Sequence, residues 1–203
     1  LESLHLPFIV LSLWGMIMAS LMCLRQPDLK SLIAYSSISH MGLIVTATMI
    51  QTPSSITGAL LLMVAHGVTS SMLFCLANMV YEQTNTRTLI LMHGMQTMMP
   101  TMAALWFLAN LTNMAIPPTI NLFGEIMIIM TTFNWSTLTL ILTGLTAAIT
   151  ALYSMHMFMS TQQGKTLKDL MTHPHHTREY LILSLHLIPM VLLIVNPEII
   201  MFV

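Results

Sequence analysis

Residues 116–125 read IPPTINLFGE, inside one of the most apolar runs of the chain. Pro117 and Pro118 remove two backbone donors and push Ile116 out of helical geometry, so no helix runs straight through this stretch. Nine residues past Ile116 stands Glu125, a carboxylate in a surround that should reject it. The fold turns on whether this is a break in a soluble core or in a membrane helix.

Composition answers that question. Hydrophobic residues make up 56% of the 203 residues and charged residues 6%, against about 45–50% and about 25% in a soluble domain. So little charge cannot coat a soluble globule. The apolar residues come in runs, roughly 4–24, 56–80 and 135–160, each long enough to cross ~30 Å of hydrocarbon at ~1.5 Å per residue. A transmembrane barrel would show alternating segments of about ten residues instead. The first run is not a secretory signal, because its flank LESLH has no Lys or Arg, the run is too long, and no small-residue cleavage site follows. The chain opens at Leu1 rather than Met, which suggests a fragment.

A net charge of -1 argues against nucleic acid as a partner. Cys23 and Cys75 both lie in apolar runs, where a structural disulfide is not expected. The 22 methionines have no packing cause; a genetic code that reads an isoleucine codon as methionine, as in animal mitochondria, would produce them.

Windows of about 19 residues give about six spans, at roughly 4–24, 29–50, 55–80, 96–132, 135–160 and 179–201. The fourth is too long for one straight crossing, and the proline pair breaks it near 113–118. The expected fold is therefore an all-α polytopic membrane protein with one discontinuous helix. The six basic residues test this count. Arg25 and Lys30 flank the first turn, Arg87 lies in the third connection, and Lys165, Lys168 and Arg178 surround the last. Alternating crossings put all of these on one side and leave the connections at 51–54 and 133–134 without Lys or Arg. This is the positive-inside bias, and it places the charged loops in the cytoplasm-equivalent compartment.

Irregular backbone at membrane depth is tolerated where it lines a protein interior or a wet cavity, so the break marks a site. Asn110, Asn113, Thr119 and Asn121 cluster around it and can satisfy freed carbonyls. An ionisable group at membrane depth costs about 2.5 kcal/mol or more to insert, and its default reading is functional. Glu125 is thus the leading candidate for proton loading and release, against the plainer role of a neutral acid bonding across helices. His40 and His66 fall near the middle of the second and third spans. A lone transmembrane His is more often a packing residue, but two at mid-depth with a mid-depth Glu suit a relay.

Ser36 lies one turn from His40, and Ser70, Thr69 and Asn78 fall at helical spacing from His66. Thr139, Thr143, Thr146 and Thr150 form a hydroxyl stripe that back-bonding to their own helix explains, although it can border a wet path. Lys30 either snorkels to the interface, pairs with Asp28, or gates proton entry. His173-Pro174-His175-His176 looks like a metal clip but lacks the spacing and carboxylate of a zinc site, and reads as solvated loop. No GxGxxG, P-loop or CxxC pattern occurs, so no nucleotide, flavin or iron–sulfur site is expected in the chain.

The segments CLRQPDLKSLIAYSSISHMGLIV, AHGVTSSMLFCLAN and IPPTINLFGE carry a resemblance across essentially the whole chain. They resemble the antiporter-like, proton-pumping subunits in the membrane arm of mitochondrial NADH:ubiquinone oxidoreductase, respiratory complex I. Such subunits hold two inverted five-helix repeats, each with a discontinuous helix. The resemblance implies that residues 1–160 are the second repeat and that 161–203 are a matrix-side loop and the terminal helix. It also implies that Glu125 is the broken-helix acid, that His66 and His40 lie on the central hydrophilic axis, and that Lys30 lies at the matrix end of the helix bearing His40.

On this reading Ser36, Ser70, Asn113, Pro117, Pro118 and Asn121 are supporting polar or helix-break residues. NADH, FMN, iron–sulfur clusters and ubiquinone are held by other subunits of the complex, and this chain does no redox chemistry of its own. Its partners are the other membrane-arm subunits, the lipid bilayer and the missing N-terminal half of the same subunit, with its lysines and ion-pair glutamate. The location is the mitochondrial inner membrane. The rival readings are a stand-alone cation/proton transporter, which would need both repeats in one chain, and a purely structural membrane-arm subunit.

Overall fold

The computed structural model describes residues 2–164 and 177–201. Eight helices follow in chain order: α1 Glu2–Cys23, α2 Leu29–Ile50, α3 Pro53–Thr84, the single turn α4 Met95–Met98, α5 Pro100–Asn113, α6 Ile120–Trp135, α7 Thr137–Gln162 and α8 Thr177–Val195. No strand forms among the described residues, only an isolated bridge between Asp28 and Thr88. Among the described residues five helices are long and apolar enough to cross a membrane: α1 from Leu4, α2, α3, α7 and α8. The remaining span is divided between α5 and α6, 14 and 16 residues long, which are two half-length helices in series. The protein is thus an all-α polytopic membrane protein.

Local sequence sets the helix ends. Thr52 starts α3 with a capping box, its hydroxyl accepting from the Ser55 amide while Ser55 answers the Thr52 amide, with Pro53 in the first turn. Gln51 and Asn85 end α2 and α3 in the left-handed region. Between α6 and α7 the expected loop at 133–134 does not open; α6 runs on to Trp135 and a single extended residue, Ser136, makes the turn. At 32 residues α3 is about 48 Å long, more than the ~30 Å hydrocarbon thickness, so its polar last turns reach past the apolar layer.

The connections bearing Arg25, Lys30 and Arg87 are tied together. The Leu29 amide donates to the Arg87 carbonyl and the Leu89 amide to that of Pro27. The same end receives the C-terminus of α7, where the Gly94 amide donates to the Gln163 carbonyl and His93 Nδ1 lies 2.7 Å from the Ser160 carbonyl. At the opposite end His5 Nδ1 meets the Met49 carbonyl at 3.0 Å. Lys165, Lys168 and the His173-Pro174-His175-His176 stretch lie outside the described residues.

Helix α3 packs against α2, α5, α6 and α8, while α7 packs against α1, α5 and α6. The buried apolar residues divide by depth. One cluster fills the half nearer the charged connections, with Cys23, Leu32, Ile33, Met72, Leu76, Trp106, Ile149 and Tyr153. Another fills the opposite half, with Ile9, Leu13, Leu43, Ala47, Ala59, Leu62 and Ile128. Between the two, α2, α3 and α6 each place one ionisable side chain: His40, His66 and Glu125. Large hydrophobic residues such as Leu11, Leu138, Ile141 and Leu152 stay exposed on the outer surface, as hydrocarbon contact requires.

Candidate functional site

The break in the fourth span is a built helix end. The Ala115 amide donates to the Thr112 carbonyl at 3.2 Å and the Ile116 amide to that of Leu111 at 3.3 Å, the paired bonds of a Schellman cap. That cap requires a left-handed residue, and Ala115 takes the strained position with φ 52° where glycine is usual. Pro117 and Pro118 then prevent α5 from resuming, and α6 starts afresh at Ile120. Of the asparagines expected to answer freed carbonyls, Asn121 does so, its amide donating to the Thr112 carbonyl at 2.8 Å. Asn110 donates instead to Trp106, one turn back on its own helix. The side-chain oxygens of Asn110, Asn113, Thr119 and Asn121 are buried without a partner among the described residues.

Glu125 projects from the second turn of α6 into the space between α2 and α3. Its Oε1 lies 3.5 Å from His40 Nδ1, within ion-pair range and longer than a good hydrogen bond. The His40 and His66 rings stack at a tilt with centroids 4.7 Å apart. All three side chains are buried. His40 Nε2 and both nitrogens of His66 have no protein hydrogen-bond partner among the described residues, an arrangement that core packing alone would leave costly.

Close helix packing sets this geometry. A Cβ on Gly124 would stand 3.0 Å from the Leu62 backbone nitrogen, and one on Gly58 would stand 2.9 Å from Met127 Cβ. The two glycines bring α3 and α6 together, with Gly124 next to Glu125 and its contact Leu62 one turn before His66.

Lys30 belongs to a second group at the charged end. Its Nζ donates to Asn78 Oδ1 at 3.2 Å and sits 5.1 Å from the centre of the Tyr81 ring. The Asn78 amide in turn donates to Glu82 at 2.9 Å, and Arg87 lies over the same ring at 5.0 Å. A cleft of about 570 Å³ between α3 and α8, lined by Asn78, Glu82 and Arg178 with Phe74 and Ile182, opens beside this group. The partner of Lys30 is therefore Asn78 rather than Asp28.

Not every expected residue joins the array. Ser36 is buried one turn from His40 and donates to the Ile33 carbonyl. Ser70 is only part-buried and donates to the Gly67 carbonyl. At about 100° per residue, each step of four overshoots a full turn by about 40°. Ser70 and, after three such steps, Asn78 have therefore drifted off the His66 face. Thr143, Thr146 and Thr150 donate to carbonyls of their own helix, and Thr139 also reaches the Thr132 carbonyl of α6. Continuing their four-three spacing leads to Tyr153, fully buried with its hydroxyl unpartnered among the described residues. That spacing was the available signal for a residue that an apolar run otherwise hides.

Residues 1–150 match the family described as NADH:quinone oxidoreductase/Mrp antiporter, TM. NADH-ubiquinone oxidoreductase chain 4 of Pelomedusa subrufa is 58% identical over 199 residues, covering 97% of this chain and 43% of that protein. The chain therefore spans less than half the length of that relative. The protein of the same name from Sistrurus miliarius is 58% identical over 195 residues, 96% of this chain and 84% of its own. A chain of respiratory complex I from Thermus thermophilus with bound NADH superposes with a TM-score of 0.88 at 24% identity, over 95% of this chain and 41% of that one. This last likeness shows a shared fold. A broken helix with a buried acid, two stacked histidines beside it and a family match over most of the chain lead to one assignment: the chain belongs to the transmembrane NADH:quinone oxidoreductase/Mrp antiporter family.

Proposed function

We propose that this chain is part of the proton-translocating membrane arm of an NADH:ubiquinone oxidoreductase, with His40, His66 and Glu125 as its proton-handling groups and Lys30 at the entrance to them. One observation carries the reading: three titratable side chains from three helices meet in the membrane interior beside a helix break, with His40 and Glu125 3.5 Å apart. The proton between them can rest on the carboxyl, leaving both groups neutral, or on the imidazole, giving an ion pair. A cation moved toward the site favours the charged carboxylate, and its withdrawal favours the neutral acid. Loading and release follow from that motion without redox chemistry in this chain. NADH, FMN, iron–sulfur clusters and ubiquinone belong on this reading to other subunits.

Residues 1–160 act as one five-helix antiporter-like repeat and the remainder as a loop and terminal helix. Supporting Asn113, Asn121, Pro117 and Pro118 hold the break open, and Ser36 extends the polar face of α2. The membrane is the mitochondrial inner membrane, with the basic connections on the matrix side in keeping with the positive-inside bias. Glu125→Gln keeps shape and much of the hydrogen bonding but cannot titrate. It should assemble into the complex on native gels and lose most proton translocation per NADH in reconstituted vesicles. Undiminished pumping by the assembled variant would remove Glu125 as an obligatory carrier.

A further inference from the structure

His40 follows Lys30 by ten residue steps of α2, about 15 Å of helix rise. The side chains that fill this depth are apolar: Leu32 and Ile33 of α2, Met72, Leu73 and Leu76 of α3, and Ile149 of α7. A proton moving between the charged end and the histidine pair must pass this layer. Its small hydroxyls are already committed. Ser36 and Ser37 donate to the Ile33 carbonyl and Thr69 to that of His66, so their oxygens can accept but their protons are held.

Tyr153 differs. It is fully buried in the same cluster as Cys23, Ile33 and Trp106, and its hydroxyl makes no hydrogen bond of full geometry to a described residue. Ser36 of α2 stands within reach of that hydroxyl as a hydrogen-bond acceptor. His40, one turn from Ser36, keeps Nε2 unpartnered among the described residues. A buried phenol without a well-formed hydrogen bond is costly, and such a group calls for a functional or water-mediated explanation.

We infer that the Tyr153 hydroxyl is a further proton-handling group of this protein, bridging the apolar layer between the Lys30 end and the His40–His66–Glu125 array. The inference rests on the proton-path reading above. The step is a concerted exchange: a proton arriving from the charged end bonds to the phenol oxygen as the phenol's own proton leaves toward the array. One O–H bond forms and one breaks. The phenol begins and ends neutral, and no electrons are transferred.

Two substitutions in the assembled complex separate this role from packing. Tyr153→Phe keeps the ring and removes only the hydroxyl, while Tyr153→His fits the cluster less well but carries an exchangeable proton. A positioned proton-transfer group is worth ~10²-fold at the low end, and partial bypass by water should leave about a tenfold loss of pumping rate in Tyr153→Phe. Its solvent deuterium isotope effect on pumping should rise, and Tyr153→His should pump faster than Tyr153→Phe. A purely structural ring predicts the opposite order. Wild-type pumping by Tyr153→Phe, failure of that variant to assemble, or a slower Tyr153→His would overturn the inference. Glu125→Gln measured alongside distinguishes the two levels: impaired pumping there with normal Tyr153→Phe rejects this inference alone, and normal pumping there rejects the reading beneath it.

Discussion

His66 shows what a buried imidazole contributes at the scale of one residue. Its two nitrogens have no hydrogen-bond partner among the described residues, and its ring leans on His40. His66→Gln retains a donor and an acceptor, whereas His66→Leu retains neither and cannot join a proton-transfer chain. The Gln variant should keep part of the proton pumping in reconstituted vesicles. The Leu variant should lose about tenfold. Equal pumping by both would show that His66 only packs. The three titratable residues were legible in the sequence because charge and imidazole stand out in an apolar run. Tyr153 was not, because an aromatic ring in such a run reads as core. Ser70 turns away from the His66 face, because spacing of four resembles a face until the ~40° drift per step is counted.

At the scale of the element, the divided span was the most readable feature. Two prolines, an overlong apolar run and a cluster of asparagines each indicated a break, and the structure ends α5 at Asn113 and begins α6 at Ile120. What the sequence did not reveal is how closely α6 rides on α3, because glycine in a membrane helix has several uses. Gly124 has backbone atoms of Leu62 within 3.0–3.2 Å of where a Cβ would stand, whereas Gly144 on α7 has nothing within 4 Å. The same substitution should therefore act with opposite sign. Gly124→Ala should force the helices apart at about 1–3 kcal/mol and shift Glu125 from His40, lowering the thermal dissociation midpoint and pumping together. Gly144→Ala should be neutral or stabilising by up to ~1 kcal/mol through helix propensity alone. Equal midpoints would contradict the close-packing account.

Taken as a whole molecule, the helix count and the gathering of basic connections at one end follow from charge placement. The bonds from Leu29 to Arg87 and from Gly94 to Gln163 give that end a physical frame. A membrane-impermeant thiol reagent should label Gln163→Cys only from the matrix side and Asn134→Cys only from the opposite side; the reverse pattern would invert the topology. The central claim, that Glu125 changes protonation during turnover, is most directly measured by infrared difference spectroscopy of the assembled complex on addition of NADH and quinone. The spectrum should contain the C=O stretch of a carboxyl group gaining or losing a proton, and Glu125→Gln should abolish that band. An unchanged carboxyl band in the assembled variant would contradict the account.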